Sequence, residues 1–209
     1  MMGCILAFSG GYMDAYTYLF RDNVFANAQT GNMILFAIHL FEGDWPLSFS
    51  YLCPVVFFML GITTAHSLSV KFDEEKRMHW RQMALVFEII ILCIVGFIGT
   101  QFNLLANSMV SFACGIQVQS FRKIAGNNLA TTMCIGNIRS ATDLFCDYRH
   151  TGDRSCLDKS LVYYLIVGVF ILGATFGNVM VKMFEQEAIL LSPLFLGLAF
   201  ILMWEMPDH

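Results

Sequence analysis

The chain has 209 residues, of which 57% are hydrophobic and 13% charged, whereas an average soluble domain carries about 25% charged residues. With a mean hydropathy of +0.63, this composition predicts several membrane-spanning helices and excludes an ordinary soluble globular domain. A net charge of −4 argues against a nucleic-acid partner, which needs a basic surface.

The length limits the number of bilayer crossings. Each crossing needs about 20 residues, so six helices use about 120 residues and leave about 90 for loops, whereas eight helices leave almost no loop. A separate soluble domain has no room. We therefore expect a single membrane domain over residues 1–209.

Apolar stretches in chain order predict six spanning helices. The first, residues 3–20, lacks the basic start of a signal peptide and carries Asp14, so we expect a retained membrane helix. The stretch 104–121 carries Gln117 and Gln119, which must face protein or a cavity. The other four predicted spans are 52–70, 83–99, 161–181 and 189–204.

Two shorter apolar stretches, residues 24–41 and 129–145, are interrupted by glycine. Each is typical of a half-helix or a re-entrant segment, which enters the membrane and returns to the same side. A full crossing is the alternative for both.

The two halves of the chain resemble each other. At shifts of 104 to 112 positions, the matches are residues 58–61 with 170–173, Gly31 and Asn32 with Gly136 and Asn137, and Gly11 with Gly115. We interpret them as an internal repeat, residues 3–101 and 104–205, in which each copy is a long helix, a broken segment and two helices. Chance matching of glycine-rich apolar helices is the alternative.

The placement of cations favours an inverted repeat. If each broken segment returns to its own side, each half crosses three times and both termini share one side. Only Arg21 and Lys182 then lie opposite, whereas eight crossings would divide the cations more evenly between the two sides. The positive-inside rule predicts six spans in a 3+3 inverted arrangement, in a bacterial inner membrane with both termini cytoplasmic. The cations on the cytoplasmic side are Lys71, Lys76, Arg77, Arg81, Arg122, Lys123, Arg139, Arg149, Arg154 and Lys159.

Asp14 is the strongest single candidate for a functional residue, because a carboxylate near the middle of a membrane helix costs about 2.5–3.5 kcal/mol on insertion scales. One interpretation is a proton- or cation-responsive site that faces a cavity. The other is a carboxylate that satisfies backbone groups beside a helix break at Gly10 and Gly11.

Polar side chains crowd around both broken segments. A half-helix over residues 33–41 would point unpaired N–H groups at an anion or a polar ligand head. We predict a substrate site between the two halves; the alternative is that these residues only cap broken helices. Besides Asp14, the candidates are Asn27, Gln29, Thr30, Gly31 and Asn32 in the first half and Gln117, Thr131, Thr132, Gly136 and Asn137 in the second.

Other polar residues give weaker signals. Glu88 has the spacing either to be buried or to reach the membrane surface, His66 is expected to be structural, and Arg139 with Asp143 fits a helical ion pair. The seven cysteines show no C-x-x-C pairing, so we expect no disulfide framework and no zinc site. Enzyme motifs are absent, so we predict neither an enzyme nor a cofactor or metal.

The motif Gly11-x-x-Asp14-Ala15 is followed by residues 25–32 with their Thr30-Gly31-Asn32 core, and a second motif, Thr131-Thr132 followed by Gly136-Asn137, comes after Gly115-x-Gln117 and Phe121-Arg122. In this combination the sequence resembles the YoaK-like family. These are small bacterial membrane proteins grouped under a domain of unknown function. The resemblance covers nearly the whole chain and implies a six-helix inner-membrane protein without an established substrate. The second motif departs from the first, since Ile135 stands where Thr30 stands.

These patterns together predict a transporter of a small solute or ion with its site between the repeats. A non-transporting membrane sensor or assembly protein is the alternative. The expected partners are the lipid bilayer and an unknown small solute or ion, but no nucleic acid. The sequence leaves open whether the chain forms a homo-oligomer, which ion is coupled and in which direction transport runs.

Overall fold

The computed structural model describes residues 1–71, 77–122 and 132–205. Within these residues all regular structure is helical, which confirms the predicted all-α class. Each predicted apolar stretch overlaps one helix, and short 3₁₀ turns precede α5 and α8. The helices are α1 (Met2–Phe20), α2 (Gln29–Glu42), α3 (Trp45–Lys71), α4 (Arg77–Val95), α5 (Asn103–Ser120), α6 (Cys134–Thr151), α7 (Arg154–Phe184) and α8 (Leu191–Glu205).

Two helical stretches in the described part of the chain are long and apolar enough to cross a bilayer. One is α3, Trp45–Lys71, and the other, Arg154–Met203, runs through α7, the 3₁₀ turn and α8. Large apolar side chains also lie on the surface, with Phe41 94% and Phe97 80% exposed. Such an apolar surface suits a lipid environment, so the architecture supports membrane association.

Helices α1 and α7 run parallel and touch through glycines. Gly173 of α7 faces Phe8 of α1. One turn further along both helices, Gly177 faces Tyr12. A Cβ atom at Gly11 would lie 2.0 Å from the carbonyl oxygen of Phe170. Only glycine allows two helix backbones to approach so closely.

Helices α3 and α5 form a second interface of the same kind. A Cβ atom at Gly61 would lie 2.2 Å from the carbonyl oxygen of Phe112, and one at Gly115 would lie 2.3 Å from that of Phe58. These glycines are the ones that the sequence matches align with Gly173 and Gly11. The first helix of each half therefore packs against the third helix of the other half.

The glycines do not break the helices where the sequence predicted breaks. Helix α1 is continuous through Gly10 and Gly11, so the expected interruption beside Asp14 is wrong. Positive φ angles among the described glycines occur at Gly43 and Gly152 only. Gly10 and Gly11 in α1 instead allow close approach of other parts of the chain, since Gly10 contacts Thr132 and Gly11 contacts α7.

Helix α2 begins earlier than expected and starts beside the middle of α1. It starts at Gln29 and α6 starts at Cys134, so both Gly-Asn pairs lie inside a first helical turn. After α1 ends, the chain runs back along it: Phe25 stacks on Tyr18, with ring centroids 4.8 Å apart. The side-chain amide of Asn27 donates to the carbonyl of Gly10 at 3.2 Å.

Arg21, expected among the loop cations, is fully buried. Its guanidinium donates to Tyr16 Oη and Asn103 Oδ1, both at 3.0 Å. It also donates to the backbone carbonyls of Val95 and Ile98, at 3.2 and 2.8 Å. Arg21 therefore joins the end of α1 to the end of α4, where the helix dipole favours a cation.

Candidate functional site

A cavity of about 760 Å³ lies where the starts of α2 and α6 meet α1 and α7. Its volume falls in the range of about 300–1,000 Å³ that is typical of small-molecule sites. Helix α1 contributes Asp14 and Tyr18, and α7 contributes Phe170 and Asn178. Both segments that the sequence predicted as half-helices therefore open into one space.

Asp14 lies in this cavity and is 7% exposed. Its Oδ1 accepts the backbone N–H of Asn27 at 2.6 Å, and the N–H groups of Ala26 and Ala28 are also directed at the carboxylate. Asp14 therefore accepts hydrogen bonds from backbone N–H groups, as one of the two interpretations predicted. These N–H groups belong to the turn that leads into α2 and not to a break in α1. A carboxylate at a helix start is electrostatically favourable.

The other predicted site residues divide into two groups. Asn27, Gln29, Thr30 and Thr132 line the cavity with Asp14. Gly31, Asn32, Gln117, Gly136 and Asn137 do not line it, and Thr131 lies outside the described residues.

Asn32 has a structural position beside the cavity. Its amide donates to the carbonyl of Phe25 at 2.7 Å, and its Oδ1 accepts the N–H of the same residue at 3.0 Å. The amide also donates to Gln29 Oε1 at 2.8 Å, and Gly31 packs against the Phe25 ring. Asn32 and Gly31 therefore hold the turn that presents Asn27.

Several cavity residues were missed by sequence reasoning. Asn178, one of them, is a polar residue within the long apolar helix α7. A systematic scan of α7 for isolated amides would have found it. Tyr18, Phe25 and Phe170 could not be recognised, because aromatic residues are abundant along the whole chain.

Two lining residues carry buried oxygens without a hydrogen-bond partner among the described residues. They are Asn27 Oδ1 and Thr132 Oγ1. Each residue is only 3% exposed. An unsatisfied buried polar group costs about 1–3 kcal/mol, so a ligand that pairs with these atoms would regain free energy.

Outside the cavity, Glu88 and Gln117 are fully buried, and their side-chain polar atoms have no partner within the described residues. The ring of His66 lies 3.4 Å from the Gln119 amide. Arg139 and Asp143 form the expected pair, 3.7 Å apart and exposed.

Metal-ligating side chains are scattered over the described residues, and the cysteines are not joined in disulfides. The described residues contain no group of three or more His, Cys, Asp or Glu side chains that could hold a metal ion. All seven cysteines are free thiols.

The described residues form an all-helical protein with two stretches long and apolar enough to cross a bilayer, packed around a cavity that contains one carboxylate. The chain belongs to the family described as "Protein of unknown function (DUF1275)", which it matches over residues 2–202. This match confirms the resemblance to a family grouped under a domain of unknown function. No curated protein and no solved structure matches the chain.

Proposed function

We propose that this protein is an integral membrane transporter, not an enzyme, and that the cavity binds its small solute or ion. The observation that carries the proposal is the meeting of two helix starts in one cavity, beside Asp14 at the middle of α1. Transporter sites typically form where interrupted helices of two repeats meet near the bilayer midplane.

The proposed arrangement is an inverted 3+3 repeat with six spans and two re-entrant segments. Support comes from α2, which starts beside the middle of α1 rather than at its end. Glycines also bring α1 into close contact with α7, and α3 into close contact with α5. Two copies of one unit would make this pair of matching interfaces. The placement of cations supports cytoplasmic termini in a bacterial inner membrane.

A second candidate function has an observation in its favour. The Asp14 carboxylate is hydrogen-bonded to the turn before α2, which is what a purely architectural residue would do. A sensor or assembly protein would use the same contacts to hold its short helices. This candidate predicts that cavity substitutions change the stability of the folded chain and that the natural chain transports no solute.

Filling the cavity tests the proposal. Ala28 lines the cavity and is exposed to it, so Ala28→Trp is expected to abolish solute uptake because the indole occupies the binding space. The measurement is uptake by liposomes that contain the purified chain, with radiolabelled amino acids, organic acids, amines, sugars and inorganic ions.

Ala37→Trp is the matched control, since Ala37 is exposed on the same helix away from the cavity. It should leave uptake within about twofold of the natural chain. Equal uptake by both variants, or no uptake of any solute by the natural chain, would contradict the proposal.

Thiol labelling tests the orientation. Cys146 is exposed on α6, and a variant that keeps only this cysteine should react with a membrane-impermeant maleimide in inside-out vesicles but not in intact spheroplasts. Glu42→Cys, at the exposed last residue of α2, should show the opposite pattern. Labelling of Cys146 from the outside would overturn the inverted arrangement.

A further inference from the structure

The two helix starts in the cavity are electrostatically unequal. Helix α2 has the Asp14 carboxylate at its start. Helix α6 opens into the cavity through Thr132, Met133, Cys134 and Ile135, and the side chain of its N-cap residue Met133 makes no capping hydrogen bond. The first N–H groups of a helix have no partner within it, so the α6 start directs hydrogen-bond donors toward the cavity.

The second half of the chain contains no carboxylate that could take the place of Asp14. Residues 103–133, which include all of α5 and the segment before α6, contain neither Asp nor Glu. The match between Gly11 and Gly115 places Val118 where Asp14 stands in the first half. The partner of the α6 start must therefore come from elsewhere in the protein or from a ligand.

A second observation points to a ligand. Thr132 and Asn27 line the cavity, are both more than nine-tenths buried, and keep Oγ1 and Oδ1 unpartnered among the described residues. The hydroxyl of Thr132 can donate to an anionic group beside the start of α6. Asn27 Oδ1 can only accept, so its natural partner is a donor such as an ammonium or hydroxyl.

The balance of charge then selects the kind of ligand. Each helix start carries roughly half a positive charge, an ionised Asp14 carries one negative charge, and no Lys, Arg or His of the described residues lines the cavity. The net charge is close to zero, but the positive end lies at α6 and the negative end at Asp14. Cys134 at the start of α6 and Asp14 line the same cavity, so one small ligand can contact both.

We propose that the cavity binds a zwitterionic α-amino acid with an apolar side chain. Its carboxylate accepts hydrogen bonds from the start of α6 and from Thr132, and its ammonium faces Asn27 Oδ1 and Asp14. This inference rests on the proposed function and names its substrate class. A dianion or phosphate does not fit, because no cationic side chain would balance its second charge.

The walls of the cavity suit the side chain of such a ligand. Apart from its polar end, the cavity is bounded by Tyr18, Leu19, Phe25 and Phe170, and Tyr18 is stacked on Phe25. Aromatic rings favour contact with other aromatic rings, and 760 Å³ leaves room for one. Phenylalanine is therefore the appropriate first probe.

The test measures equilibrium binding of three molecules that share a phenyl ring to the purified full chain in detergent. Phenylalanine carries both charged groups, 3-phenylpropionate lacks the ammonium, and 2-phenylethylamine lacks the carboxylate. We expect phenylalanine to bind at least tenfold more tightly than either analogue. Equal or tighter binding of one analogue, or no binding of phenylalanine, overturns the inference.

Thr132→Val keeps the shape of the side chain and removes its hydroxyl. It is expected to weaken phenylalanine binding about tenfold, as loss of one hydrogen bond to a charged group does. Thr63→Val is the matched control, because Thr63 is exposed on α3 and bonds only its own helix at Met59; it should bind normally. Equal affinities of the two variants would also overturn the inference.

The outcomes separate this inference from the proposed function. Uptake of another solute that Ala28→Trp abolishes, without phenylalanine binding, rejects the amino-acid site and keeps the transporter. Phenylalanine binding with the expected selectivity, without uptake of any solute, keeps the site and rejects transport. If Thr132→Val does not fold, the selectivity of the natural chain among the three probes still decides the inference.

Discussion

Replacing Gly11 with alanine is expected to push α1 and α7 apart and to destabilise the folded chain. The new Cβ atom would lie 2.0 Å from the carbonyl oxygen of Phe170, where the obstacle is helix backbone and not a movable side chain. The two helices would have to separate by about 1 Å or more to restore normal contact. Overpacking of this kind costs about 1–3 kcal/mol, and a backbone obstacle places Gly11→Ala at the upper end.

The measurement is the free energy of unfolding in detergent, followed by denaturant or by thermal melting. Gly168→Ala and Gly197→Ala are matched controls, because a Cβ atom at either position meets nothing within 4 Å. Alanine is a better helix former than glycine by about 1 kcal/mol, so both controls should be unchanged or slightly more stable. A Gly11→Ala chain as stable as these controls would contradict the close packing.

The same experiment bears on the internal repeat. Gly115 occupies the matching position in the α3 and α5 interface, where a Cβ atom would lie 2.3 Å from the carbonyl oxygen of Phe58. If the two halves are copies of one unit, Gly115→Ala should cost about as much as Gly11→Ala. A large loss at one site and none at the other would argue against equivalent interfaces.

Removing the carboxylate with Asp14→Ala is expected to cost about 2–3 kcal/mol of folding free energy. The backbone N–H of Asn27 would lose its acceptor at 2.6 Å, and the groups of Ala26 and Ala28 that face the carboxylate would also be left unpaired. Each buried donor without a partner costs about 1–3 kcal/mol, and the turn can recover part of this by moving. Asp14→Asn keeps one acceptor oxygen and should lose about half as much.

Asp44→Ala is the control for Asp14→Ala. Asp44 also accepts a backbone N–H at the start of a helix, from Leu47 at 3.2 Å, but it is exposed. Water replaces the lost acceptor there, so stability should change little. A loss at Asp14 no larger than at Asp44 would contradict the buried capping role.

Asp14→Asn also separates the two interpretations of Asp14, as a ligand-binding carboxylate or as a purely architectural one. If Asp14 only shapes the turn before α2, uptake per folded molecule of Asp14→Asn should equal that of the natural chain. If its charge helps to bind the solute, uptake should fall at least tenfold while the variant remains folded. The measurement pairs liposome uptake with the fraction of folded protein in the same preparation.

Helix positions could be predicted from sequence because the apolar runs are long and separated by charged or polar residues. Helix α3, Trp45–Lys71, contains the predicted stretch 52–70, and the ion pair of Arg139 with Asp143 follows from helical spacing alone. The start of α2 was placed too late, at residue 33 instead of Gln29, because glycine was interpreted as a helix breaker. At Gly31 and Gly136 the backbone stays helical, since the conformational preference of one residue is weak compared with that of the whole helix.

The length, composition and charge of the chain by themselves determined the all-helical class and left a small set of polar residues within the apolar stretches. Only the tertiary structure decided which of those residues meet. Asp14 and Asn27 are 13 positions apart and come together because the chain turns back along α1, while Thr132 reaches the same cavity from the other half. Periodicity reports which face of a helix is apolar, but the pairing of helices depends on close backbone contacts such as those at Gly11 and Gly173, which no single-helix pattern contains.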